Sequence, residues 1–178
     1  MATNVAQVDE VWDQPTQTNN AYAYMQADLK FRSPGTRKRQ QVFAPVALNV
    51  LGVEIVWTPD GRAFPPTIFA AIERLYAIHA LEEGWDSYGG RALDRAVVAP
   101  VLKFLFLSHR RGSPCSRLIP LSSGGIGMSW ETLTKEVDLD IQPSGKFEFT
   151  IEDVASGEIS EFLANTPEEA ELIFEAAL

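Results

Sequence analysis

Carboxylates dominate the chemistry this sequence can offer. In the run from Glu136 to Ile141, Val137, Leu139 and Ile141 alternate with Glu136, Asp138 and Asp140, so on a strand the acids share one face. Two carboxylates on one face can hold a divalent cation or divide acid and base work between them. No histidine joins them, however, and Lys146 or Thr150 is expected opposite, so a solvated strand face is the plainer reading. Lys146 to Glu152 repeats the pattern, with Phe147, Phe149 and Ile151 alternating against Lys146, Glu148, Thr150 and Glu152. The two runs predict an antiparallel sheet with one buried face and one wet face. With Glu131, the wet face gathers Glu136, Asp138, Asp140, Glu148 and Glu152, an arrangement that can imitate a phosphate backbone or receive a basic partner.

Other chemistries have weaker foundations. His79 and His109 are the only histidines, and Cys115 the only cysteine. His79 is expected on the apolar side of a helix as a packed or half-exposed side chain. A small hydrolase pairing Ser108 or Cys115 with a histidine is a remote alternative, since Cys115, between Pro114 and Ser116, has no local nucleophile signature. No catalytic residue, metal or cofactor is assigned. One cysteine forms no internal disulfide, which fits a reducing compartment. The first ten residues have neither a basic start nor an apolar stretch, and a cytoplasmic location is expected. The longest clean apolar stretch, Val97 to Leu107, is broken by Lys103 and too short for a membrane-spanning helix.

The net charge is -9, which argues against phosphate-backbone binding by the whole surface. Its distribution is uneven. Lys30 to Arg39 holds five basic residues and no acid, Arg91 to Arg117 six basic residues against Asp94, and Glu131 to Leu178 thirteen acids against two lysines. Basic partners are therefore steered to the C-terminal part. Arg37, Lys38 and Arg39, with Arg110 and Arg111, supply the alternative, an accessory subunit that binds nucleic acid.

The elements that must position these groups follow from periodicity. Residues 1–41 read as a flexible arm, polar over the first twenty. Within it Met25, Ala27, Leu29 and Phe31 alternate with polar residues as a strand does, and the basic linker follows. Such a strand pairs with its own domain's sheet or adds to another chain, and Met25, Leu29 and Phe31 are its candidate partner-binding residues. Residues 42–178 read as one compact domain. Val42 to Trp57 predicts one or two strands ending in the turn Thr58-Pro59-Asp60-Gly61. Pro65-Pro66-Thr67 opens a helix carrying Ile68, Ile72, Leu75, Tyr76 and His79 on one face, with Gly84 as its left-handed stop. A second helix, about Asp94 to Arg111, buries Val97, Val98, Val101, Phe104 and Leu105, and Pro100 imposes a kink or a late start. Strands are expected at 117–121, 126–131, 136–141, 146–152 and 158–163. In the last helix Thr166 and Glu169 have capping-box spacing and Pro167 takes the first position. The fold class is α+β: two helices, an antiparallel sheet of about four to six strands and a C-terminal helix, behind an extended N-terminal arm.

Between the first two helices lies Leu81-Glu82-Glu83-Gly84-Trp85-Asp86-Ser87-Tyr88-Gly89-Gly90. Asp86 is expected to cap its own turn and Trp85 to plug the core between the helices, while a contact surface of Trp85, Asp86 and Tyr88 is the functional reading. This segment, followed by Phe104-Leu105 and by Gly124-Gly125-Ile126-Gly127-Met128-Ser129-Trp130, resembles a pattern of small bacterial and mobile-element proteins. The resemblance spans roughly the last hundred residues and departs from the pattern at Pro100 and in the arm. It implies an accessory or antitoxin-like class with no catalytic residues. Together these readings point to a non-enzymatic component of a larger bacterial or phage-related assembly, or an antitoxin-like inhibitor, with a protein partner and no membrane.

Overall fold

The chain divides into two units, Met1–Gln40 and Gln41–Leu178. The structure, a computed structural model, describes residues 45–57 and 64–178, all in the second unit. The expected arm strand at Met25 to Phe31, the basic run Arg37 to Arg39 and the turn at residues 58–61 lie outside the described residues.

The second unit is α+β. A hairpin of β1 (Val46–Val50) and β2 (Val53–Trp57) leads to α1 (Pro66–His79). A single 3-10 turn, Arg95–Val97, then runs into α2 (Val98–Arg110). Five strands follow: β3 (Arg117–Pro120), β4 (Ile126–Glu131), β5 (Lys135–Ile141), β6 (Phe147–Asp153) and β7 (Ile159–Ala164). Helix α3 (Pro167–Ala177) ends the chain. The five strands form one antiparallel meander in sequence order. No helix among the described residues is long and apolar enough to cross a membrane.

Local chemistry sets each boundary. The hairpin turns through Leu51 at φ 51 and Gly52 at φ 93, the left-handed pair that a two-residue hairpin needs; Leu51 also packs against the core. Pro66 occupies the first turn of α1, where a missing N–H costs nothing. That helix stops at Ala80, which is right-handed at φ -78, so Gly84 is not its stop. Gly84, at φ 81, instead serves the following loop. Its buried residues are Ile68, Ile72, Leu75 and Ile78. Tyr76 and His79 therefore do not belong to the buried stripe: Tyr76 is exposed and donates to the Asn49 carbonyl, and His79 is half-buried. The late start expected of α2 is observed. Asp94 accepts from the Ala96 N–H to cap the 3-10 turn, and Pro100 falls third in α2, among the residues whose N–H groups lack ladder partners. In α3 Thr166 accepts from the Glu169 N–H, while the Glu169 carboxylate reaches back to Asn165, one residue earlier than a strict capping box.

The core lies between the inner face of the sheet and the helices. Phe104 of α2 meets Phe174 of α3 with ring centroids 5.1 Å apart, Phe147 at 6.1 Å and Phe149 at 6.5 Å, all edge to face. Trp130 of β4 stacks edge-on against Phe174 at 4.7 Å. Such pairs add to the area they bury. A second cluster, Trp57, Phe64 and Phe106, holds the hairpin against α2. Lys103–Glu171 at 2.6 Å and Arg111–Glu175 at 2.8 Å link α2 to α3 at the surface. These exposed pairs align the helices and contribute little stability.

Phe174 touches the sheet through Trp130 and α2 through Phe104, so its removal leaves a cavity that neither neighbour can fill. Phe174→Ala is expected to cost about 3–5 kcal/mol in a denaturant titration, whereas Leu172→Ala, at a position 69% exposed, is expected to cost under about 0.5 kcal/mol.

Candidate functional site

Alternation along β5 and β6 assigns every apolar side chain inward and every acid but Asp153 outward. Val137, Leu139, Ile141, Phe147 and Phe149 are each 1% exposed or less. The register then decides which acids face each other. Glu131 of β4 pairs with Glu136 of β5, which pairs with Glu152 of β6. Asp140 pairs with Glu148, and Asp138 pairs with Thr150. Of the two residues expected opposite the aspartates, Thr150 takes the place, across from Asp138, while Lys146 precedes β6. Beyond Thr150, β7 adds Glu161 to the same face. Its one cation on the described strands is Arg117 of edge strand β3, which pairs with Ser129.

A polar relay runs inward from that edge. Arg117 donates to the Ser129 hydroxyl at 3.4 Å, and Ser129 donates in turn to Asp138. One row away, Gly127 leaves room for Asp140: a Cβ at that position would stand 3.0 Å from an Asp140 carboxylate oxygen and 2.9 Å from Ile119. Asp140 is half-buried against this bare backbone. Burial raises its carboxyl above the ordinary range, and the negative charges of Glu148 and Asp138 raise it further. Among the described residues no three His, Cys, Asp or Glu side chains cluster as a metal site.

The loop from Gly84 to Gly90 is closed by Gly84 N–H donating to the Gly90 carbonyl at 2.7 Å. Asp86 organises it. One carboxylate oxygen accepts from the Tyr88 and Gly90 N–H groups and the other from the Ser122 hydroxyl at 2.6 Å. These bonds, the Ser122 hydroxyl first, hold its carboxyl below the ordinary range. Gly90 is required here because a Cβ would lie 2.7 Å from the Asp86 carboxyl carbon. Trp85 does not plug the core between helices as the sequence suggested. It is half-buried at the loop, where its indole N–H donates to the Arg91 carbonyl at 3.1 Å. Tyr88 is 96% exposed on a loop fixed to the β3–β4 turn. Asp86 therefore fixes the loop on which Tyr88 stands exposed.

The remaining candidates are dispersed. Arg111 is committed to Glu175 through a side-chain pair and a backbone carbonyl, and Lys103 to Glu171, so two cations of the Arg91 to Arg117 stretch face acids of α3. Arg110 is exposed at the end of α2. Ser108 is buried and donates to the Leu105 carbonyl. Cys115 donates to the Arg117 carbonyl, and burial pushes its thiol up, away from the reactive thiolate. Met25, Leu29 and Phe31, with Arg37, Lys38 and Arg39, lie outside the described residues. Glu161 and the apolar residues Ile159 and Leu163 beside it extend the outer face beyond what the sequence reading included. The signal was weak, because β7 carries apolar residues on both faces. Comparison with protein-family models, with curated proteins and with solved structures returns no match.

The Asp140 carboxyl, raised in the folded protein, binds a proton there at pH values where the unfolded chain has lost it. Its ionisation therefore subtracts stability as pH rises from the ordinary aspartate value through the raised one. Asp140→Asn is expected to raise the melting temperature at pH 7, with the gain disappearing below pH about 4. A carboxyl carbon NMR titration should place the Asp140 midpoint above the Asp86 midpoint.

Proposed function

We propose that the chain is a non-enzymatic protein-interaction component that receives a basic partner on the outer face of its sheet. The observation that carries this is the row Glu131–Glu136–Glu152, three directly opposed carboxylates with no cation between them. Like charges directly opposite destabilise a sheet, and a cationic partner turns that repulsion into attraction. Asp138, Asp140, Glu148 and Glu161 widen the face into a strip across four strands, β4 to β7. Tyr88, with Trp85 and Asp86 holding its loop, offers an aromatic contact of the kind enriched at interfaces. Opposed acids steer association as well as hold it, so binding is fast and salt-sensitive.

The resemblance to small bacterial and mobile-element proteins supports an assembly component or an antitoxin-like inhibitor as the class. The arm, through Met25, Leu29 and Phe31, is the second contact of this reading, and a reducing cytoplasm suits the lone Cys115 thiol. The nucleic-acid alternative would rest on Arg37, Lys38 and Arg39 with Arg110.

Thr150 sits at the centre of the face, opposite Asp138 and Glu161. A photo-crosslinking residue at that position, in the full chain expressed in its native cells, is expected to give one dominant protein adduct, mapped to a Lys- or Arg-rich segment. Glu136→Lys with Glu152→Lys should abolish that adduct. Adducts scattered over many proteins, or one that survives the charge reversal, would count against the proposal.

A further inference from the structure

The two edges of the sheet are treated differently. Strand β3 is four residues long, ends in Pro120, and gives the Leu118 carbonyl to the Arg74 guanidinium of α1 at 3.2 Å. That edge is short, interrupted and partly occupied, the usual protection against further pairing. Strand β7 has six residues, no proline and no lysine. No strand lies beyond it among the described residues.

The hydrogen-bond phase of β7 is fixed by Asp153 donating to the Glu158 carbonyl at 2.9 Å. In an antiparallel ladder the bonded pairs alternate, so Ser160, Phe162 and Ala164 bond β6. The N–H and C=O groups of Ile159, Glu161 and Leu163 therefore point outward from the edge. The apolar side chains of this strand stay open as well: Ile159 is 59% exposed, Phe162 45% and Leu163 55%. On the inner side a groove of about 500 Å³ runs between β7 and α3, walled by Ile151, Phe162, Leu172, Ile173 and Ala176. Asp153, Glu158 and Lys135 stand at its rim.

We propose that β7 accepts an extended segment of a partner protein as a sixth strand, one in which apolar residues alternate with Lys or Arg. The inference rests on the basic-partner reading and names the form of the ligand. Period two places alternate side chains of an added strand on opposite faces. Its apolar residues enter the groove beside Phe162 and Ile173. Its basic residues emerge on the outer face, where their alkyl stems cover Ile159 and Leu163 and their charged heads reach Glu161 and the carboxylates of β6. Backbone bonding to the open groups of β7 supplies affinity, and the alternation supplies specificity. A second copy fits poorly, because every charged residue of β7 and α3 is an acid and pairing β7 with β7 sets like charges together.

The test uses the full chain and the peptide acetyl-Lys-Val-Arg-Ile-Lys-Val-Arg-amide, with amide hydrogen exchange read by NMR. Exchange at Ile159, Glu161 and Leu163 is expected to slow at least about tenfold on binding, and a peptide with Glu at every Lys and Arg should have no effect. Leu163→Pro removes one outward N–H and leaves the β6 ladder intact, and should weaken the peptide about tenfold, as the loss of one hydrogen bond does. If that variant does not fold, Phe162→Ser opens the groove wall instead and should also weaken binding. Failure to bind, or binding without slowed exchange at those three amides, overturns the inference. So does protection in the chain alone that grows with concentration, which identifies a second copy as the occupant. Protection in the chain alone that Met25→Asp with Leu29→Asp removes would overturn it too, by identifying this chain's own segment. The Thr150 crosslink reports a basic partner on the outer face whether or not the β7 amides are protected, so the basic-partner reading stands or falls separately.

Discussion

The inner face of the sheet has to be dry, and Phe104 is the side chain that dries it. Its ring meets Phe147, Phe149 and Phe174, joining α2, α3 and β6 into one apolar mass. Burial of such aromatic area is the largest favourable contribution a domain of this size can draw on. Once Val137, Leu139, Phe147 and Phe149 are committed inward, the period of two leaves Glu136, Asp138, Asp140, Glu148 and Glu152 no face but the outer one. A one-residue slip of β5 alone would bury three carboxylates and is prohibitive.

The outer face inherits a cost from that constraint. Register places Glu136 between Glu131 and Glu152, and Asp140 against Glu148. Lysines at half of these positions would fold as well and hold together better. The structure eases the strain at Asp138, which accepts from the Ser129 hydroxyl, whereas packing against the bare backbone of Gly127 adds burial to the cost at Asp140. In the Glu131–Glu136–Glu152 row the register sets no cation between the acids. A feature that costs stability without serving the core is where function is best sought, and a basic partner is the ligand whose chemistry removes the cost.

Much of this was legible in the sequence because the signals were local and periodic. The alternation in β5 and β6, the Thr166 cap and the late start of α2 next to Pro100 all depend on residues a few positions apart. The acidic face was legible for the same reason. Its internal pairing was not, since which acid faces which depends on the β4–β5 and β5–β6 turn geometry. Gly84 misled as a helix stop because a glycine at positive φ serves a loop as readily as a C-terminus. Trp85 misled because its size suggested core, while its N–H had a loop carbonyl to satisfy. The open edge of β7 was invisible, because sheet order is a tertiary property and both faces of that strand carry apolar residues.

The central claim is that the outer face is held against its own repulsion. The most direct test is unfolding free energy against salt for the wild-type chain and for Glu136→Gln with Glu148→Gln and Glu152→Gln. At low salt the neutralised chain should be more stable by about 1 kcal/mol or more, and the gap should close toward about 1 M salt as screening silences the opposed charges. A wild-type chain that is the more stable of the two, or a gap indifferent to salt, would contradict the account.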